Sequence, residues 1–310
     1  MRFLIEPGFF ASAPVRTAVI MGALAAVISA VVGVFTVVRG QSFAGHALTD
    51  VATAGGSGAF FTGISPLVGF VGGGVLGAGA MDLIGVERLR SRDVATGIVL
   101  SVATGFAALF LFLDTSKSAT TGATQQILFG SIFTVNPSIV PYVVAMSVLT
   151  LLVLGVIYRP LLLSSLSGEL AAARGIGLRR VGLLFMLALA VAVGVSAIAI
   201  GSVLSTALLI GPAATSLRLT RNLRSAIGVA CALGVVTTWL GVLLAFDSFY
   251  WIPSSQGLPV SFFIVALILL AYLASGIPAV RRFMARLWTG HGRHLKTSSP
   301  FVAKSSRAEN

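Results

Sequence analysis

Apolar runs of about 20 residues recur from near the start of the chain to about residue 280, parted by short charged breaks. Each is long enough to cross a hydrocarbon core of roughly 30 Å. In lipid a chain must satisfy its own backbone polar groups, and a run of this length does so as a helix. The pattern predicts an all-α polytopic membrane protein, with spans near 17–38, 43–63, 65–85, 94–113, 138–158, 181–199, 201–217, 226–246 and 259–279. That makes eight or nine transmembrane helices, depending on whether 201–217 crosses. This run is short and carries Gly201, Gly211 and Pro212, which suits a broken or re-entrant segment packed inside protein. Composition agrees: 10% of the 310 residues are charged, against about 25% in soluble domains.

The formal net charge of +12 invites a nucleic-acid reading, but its distribution argues against one. Arg39, Arg88, Arg90, Arg92, Arg159, Arg174, Arg179, Arg180, Arg218, Arg221, Arg224, Arg281, Arg282 and Arg286 fall on one side if nine crossings alternate. Only Arg2, Arg16 and Lys117 fall on the other. Basic residues gather on the cytoplasmic side, so the N-terminus is expected outside and the C-terminus in the cytoplasm. Residues 1–280 then form the transmembrane domain. Residues 281–310 read as a basic, disordered cytoplasmic tail near anionic membrane lipid, and His291 and His294 lie in it. The first 16 residues lack the pattern of a signal peptide, so the first span is expected to stay in the membrane. Cys231 is the only cysteine, which excludes an internal disulfide and a thiolate metal cage.

Against this background GHALTDV, residues 45–51, stands out. His46 and Asp50 share one helical face at i and i+4, well inside the second span. Asp82, Asp114 and Asp247 fall near span ends, where water is expected to reach them. A charged group at the bilayer centre costs about 2.5–3.5 kcal/mol even on insertion scales, and such groups usually mark a pathway. Three readings fit the pair. It bonds internally or to a neighbouring helix; it relays protons; or it is a transient ligand pair for Zn²⁺, Mn²⁺ or Fe²⁺. Two ligands hold an ion weakly, which suits a conduit that must release it.

Other stretches narrow the choice. In 164–180, Ser167 is placed to cap a short helix running through Glu169 to Arg174, with Gly175 and Gly177 to stop it. Such a helix between two spans offers a docking surface, or an amphipathic segment resting on lipid. No phosphate-binding G-x-x-x-x-G-K-[ST] loop is present, so the chain is not expected to be an enzyme and ATP hydrolysis would belong to another polypeptide. Gly69, Gly73 and Gly77 form a close-packing face for a neighbouring helix or a second copy. Ser202, Ser205, Thr206 and Thr215 flank the Gly211–Pro212 step, where they line a cavity or satisfy one another.

Several of these stretches resemble one family over about residues 15–280: the integral membrane permeases of zinc/manganese/iron ABC importers, the ABC-3 family. VVRGQSFAGHALTDVATAG resembles its G-D-A-L-S-H-A-x-L-P-G segment and the basic step before it. His46 stands where the family has its carboxylate and Asp50 where it has its histidine, and Ala54 replaces its proline. SRDVATGIVLS (91–101), QQILFGSIFTV (125–135), GELAAARGI (168–176), VLSTALLIGPAAT (203–215) and PVSFFIVAL (259–267) resemble further family segments in the same order.

The resemblance implies a multi-pass protein of the bacterial plasma membrane that carries a divalent metal as cargo and binds no permanent cofactor. It implies a permease homodimer, a separate cytoplasmic ABC ATPase and an extracytoplasmic solute-binding protein. Transferred residue by residue, it puts His46 and Asp50 on the metal's path. Glu169, Ala173, Gly175 and Gly177 fall in the ATPase-coupling loop. Apart from the resemblance, the residues around the Gly-Pro step leave Ser202, Ser205, Thr206 and Pro212 either lining a cavity or satisfying one another. A metal chelate as cargo, a proton-coupled secondary transporter and a purely structural subunit are the competing expectations.

Overall fold

The computed structural model describes residues 12–84, 92–118, 122–130, 132–133, 135–251 and 258–278. The tail beyond 280 and the Arg88–Arg90 stretch lie outside the described residues. Within them the fold is helical, with no strand. In order the helices are α1 (Ala13–Val38), α2 (Ser42–Thr62), α3 (Pro66–Ile84), α4 (Arg92–Ser118), α5 (Gly122–Phe129) and α6 (Val140–Leu166). Then come α7 (Gly168–Ala173), α8 (Leu178–Ile200), α9 (Ser202–Leu219), α10 (Leu223–Trp251) and α11 (Val260–Ser275).

Each of the nine expected spans coincides with one helix, while α5 and α7 are short connectors. Seven helices among the described residues, α1, α3, α4, α6, α8, α9 and α10, are long and apolar enough to cross a membrane. α2 is long enough but lies outside this set because its apolar run is broken by His46, Thr49, Asp50, Thr53 and Ser57. α11 has 16 residues, about 24 Å of helix. The expected break in 201–217 lies elsewhere: α9 runs unbroken through Pro212. The irregular residue is Gly201, the sole link between α8 and α9, at φ +87°. It packs backbone to backbone against Gly130, itself at φ +72° and following α5. No side chain fits either position.

α1 and α8 form the centre, 67% and 72% buried over their apolar windows, whereas α4 and α6 are peripheral at 17% and 22%. Ser29 and Ser196 join the two central helices by a buried 2.5 Å hydrogen bond. The glycine face of α3 packs on α2 within the same chain. A Cβ on Gly73 would lie 2.9 Å from both Gly55 Cα and the Val51 carbonyl, and one on Gly77 2.7 Å from Val51 Cγ1. As α3 advances its partners on α2 recede, so the two are antiparallel. α4 runs parallel to α2, because Thr104 meets Asp50 and Phe110 packs over Gly58.

Candidate functional site: an imidazole and a carboxylate on α2

α2 is held between α3, α4, α8 and α9. Small residues on its α3 side permit close approach and turn a polar stripe towards α9 and α4. His46 is exposed in the single chain and Asp50 half-buried. The expectation that they share a face holds, yet they do not bond each other. His46 Nδ1 lies 3.2 Å from the Thr206 hydroxyl of α9, which is also 3.2 Å from the Thr49 hydroxyl of α2. On the other flank the Thr104 hydroxyl of α4 donates to Asp50 Oδ2 at 2.8 Å. The pair therefore spans three helices through threonines, and its remaining ring nitrogen and carboxylate oxygen carry no hydrogen bond from the described residues.

Of the four residues expected to line a cavity, only Thr206 reaches this face. Ser205 is buried and spends its hydroxyl on the Ser202 carbonyl at 2.9 Å. Ser202 is buried, and its own hydroxyl has no partner among the described residues. Pro212 is buried inside α9, and the adjoining Gly211 carbonyl accepts from Thr215 at 2.8 Å. Thr49 and Thr104 were not legible as partners, because hydroxyls on a helix mostly return to the carbonyl four residues back. Thr49 does so here as well, to Gly45; the Thr104 hydroxyl lies 2.8 Å from both the Leu100 carbonyl and Asp50 Oδ2, so its single proton is divided between two acceptors.

No group of three or more His, Cys, Asp or Glu side chains converges among the described residues. Asp82 is held by Arg179 at 3.0 Å. Asp114 and Asp247 are only 5% and 4% exposed, which corrects the expectation that water reaches them. α4 and α10 continue to Ser118 and Trp251, so both residues sit inside a helix rather than past its end, on a side turned away from solvent.

The 164–180 loop forms as its capping signals require. The Ser167 hydroxyl accepts from Leu170 N at 3.3 Å, opening α7, and Glu169 sits in its first turn. Gly175, at φ +74°, ends the turn. Gly177 instead caps the start of α8, so a single glycine suffices as the stop. Only Ala171 of α7 is buried; Glu169, Leu170, Ala173, Gly175 and Gly177 are exposed. Nearby, Arg39 donates to Ser164 Oγ at 3.0 Å and stacks on Phe185 at 5.4 Å, tying the α1–α2 turn to the end of α6 and to α8.

Comparison with known proteins agrees with this architecture. The chain matches the ABC 3 transport family over residues 12–276. It is 30% identical over 267 residues to the manganese transport system membrane protein MntC of Halalkalibacterium halodurans, covering 86% of this chain and 88% of that one. It is 29% identical over 228 residues to the chelated iron transport system membrane protein YfeC of Yersinia pestis, covering 73% and 74%. The fold is shared with the structure of PsaBC from Streptococcus pneumoniae in complex with Fab, at a TM-score of 0.75 and 23% identity over 90% of this chain and 97% of that one. With a match that takes in α1 through α11, the chain belongs to the ABC 3 transport family, as a multi-pass membrane permease.

Proposed function

We propose that this chain is the membrane subunit of an ATP-driven importer for a divalent transition metal, with manganese, zinc or iron as the cargo. The observation that carries the reading is the His46/Asp50 face of α2. Two metal-ligating groups are held apart by hydroxyls from two neighbouring helices, each with ligand capacity left over. Imidazole with carboxylate suits these ions. One chain supplies two ligands, and a second copy would double them to about four, the number a tetrahedral site needs. His46 is exposed in the single chain, which supports a homodimer closing on this face. Manganese, in the name of MntC, is the first cargo to test.

The arginine distribution supports an outside N-terminus and a cytoplasmic 164–180 loop. There α7, capped, exposed and carrying Leu170 outward, serves as the contact for a separate ATPase. ATP binding on that partner drives alternating access, with force entering through α7 and its junction with α6. A solute-binding protein delivers the ion on the opposite face. The exchanged order of His46 and Asp50, together with the chelated-iron transport named for YfeC, favours a metal chelate as the second reading.

The test is uptake of Mn²⁺, Zn²⁺ and Fe²⁺ by cells expressing the chain with its partner proteins. His46→Ala and Asp50→Ala are compared with wild type at matched membrane levels. Loss of uptake of one metal in both variants, with ATPase binding retained, is the expected result. Unchanged uptake in both would make the pair a packing contact, and no uptake even in wild type would favour the chelate.

A further inference from the structure

We infer that Thr206 and Thr49 form a hydroxyl relay that fixes the tautomer of His46, keeping the proton on Nδ1 and leaving Nε2 bare for the passing metal. The inference rests on the reading of His46 as a metal ligand, but its geometry stands apart from that reading. Three polar hydrogens and three acceptors make a chain across α2 and α9. The Thr49 hydroxyl lies 3.1 Å from the Gly45 carbonyl, which can only accept. Thr49 has a single proton, and placing it there leaves its oxygen free to accept from Thr206 at 3.2 Å. Thr206 then has no proton for the ring, so its oxygen accepts from His46 Nδ1–H, also at 3.2 Å.

The reverse order makes one bond fewer. If Thr206 donated to Nδ1, its own oxygen would take the Thr49 proton and the Gly45 carbonyl would lose it. The ring proton would then move to Nε2, which has no protein partner among the described residues. Thr49 is 1% exposed, so water does not replace a lost bond there. The relay thus runs from ring to backbone: Nδ1–H to Thr206, Thr206 to Thr49, Thr49 to Gly45 C=O. Partners of this kind on the far nitrogen of a metal-binding imidazole set its orientation and basicity, and their loss typically costs 10–100-fold in affinity or activity. Here the anchor comes from α9, so a shift of α9 against α2 would release the ring. Thr206 and Thr49 are therefore positioning residues.

The test uses full-length ¹⁵N-labelled permease joined to its unlabelled ATPase in nanodiscs, with His291→Gln and His294→Gln so that His46 is the sole labelled histidine. Nitrogen-15 spectra of the labelled ring are recorded at pH 8 without metal. Expected is a protonated Nδ1 and a bare Nε2 in the otherwise wild-type chain, with the Nε2–H form gaining in Thr206→Val. In transport, Thr206→Val raises the KM for Mn²⁺ about tenfold or more while maximal rate and ATPase binding hold, and Thr206→Ser restores it. A bare Nδ1 in the wild-type ring overturns the relay, as does an unchanged KM in Thr206→Val. If His46→Ala abolishes uptake under either result, the metal-path reading survives without the relay. If His46→Ala changes nothing, the metal-path reading itself falls.

Discussion

At the scale of single residues, the chemistry of α2 depends on what each side chain has left after its structural bonds. Asp50 gives one oxygen to Thr104 and keeps the other. Asp50→Asn preserves the shape and an acceptor for Thr104 but removes the charge that draws a cation. Metal uptake is expected to fall at least about tenfold, with the melting temperature in detergent changed little; a fall in both would mark a folding role instead. The exchanged pair allows a sharper comparison. His46→Asp with Asp50→His keeps one ligand of each type on the same face, but moves the imidazole one turn, about 6 Å along the axis, away from Thr206. Uptake by this double variant is expected above that of either single alanine variant and below wild type. The pair itself was legible in the sequence, because a carboxylate and an imidazole four apart in an apolar span have few uses. Their partners were not, since Thr104 and Thr206 reach α2 only through the packing of α4 and α9.

At the scale of helices, close packing is carried by glycines whose positions separate into crowded and open. A Cβ on Gly73 of α3 would meet Gly55 Cα and the Val51 carbonyl at 2.9 Å, whereas one on Gly72, its neighbour in sequence, would have nothing within 4 Å among the described residues. Gly73→Ala is expected to destabilise the protein by about 1–3 kcal/mol through overpacking of backbone that has little freedom to yield. Gly72→Ala should be neutral or slightly stabilising. Thermal unfolding in detergent separates the two, and equal effects would refute the α2–α3 contact. The spacing of Gly69, Gly73 and Gly77 announced such a face, but only the fold identifies α2 of the same chain as the partner. Likewise Gly and Pro in 201–217 signalled an irregularity without its position. Pro212 is accommodated inside α9, and the chain reverses at Gly201, where the approach of Gly130 excludes any side chain. α7 was the most legible element, because Ser167 and Gly175 act through local geometry alone. Leu170, 61% exposed at its surface, is not needed for folding. Leu170→Glu is expected to weaken ATPase binding in pull-down while leaving the melting temperature within about 1–2 °C of wild type.

At the scale of the whole molecule, the alternating count of spans sorts the arginines, and the structure pairs helix ends in the same alternation. Arg39 joins the end of α1 to the end of α6, and Arg179 joins the start of α8 to Asp82 near the end of α3. α1 and α8 are buried as a central pair, while α2 carries its polar face at the side where the single chain leaves His46 exposed. If the proposed homodimer closes on this face, a lone copy holds half of a metal site. The most direct measurement is pulsed electron paramagnetic resonance of Mn²⁺ added to ¹⁵N-histidine-labelled permease carrying His291→Gln and His294→Gln, joined to its unlabelled ATPase. If the His46/Asp50 face is the ion's path, the Mn²⁺ signal carries a ¹⁵N coupling that disappears in His46→Ala. Bound Mn²⁺ with no ¹⁵N coupling, or with a coupling that survives His46→Ala, would contradict it.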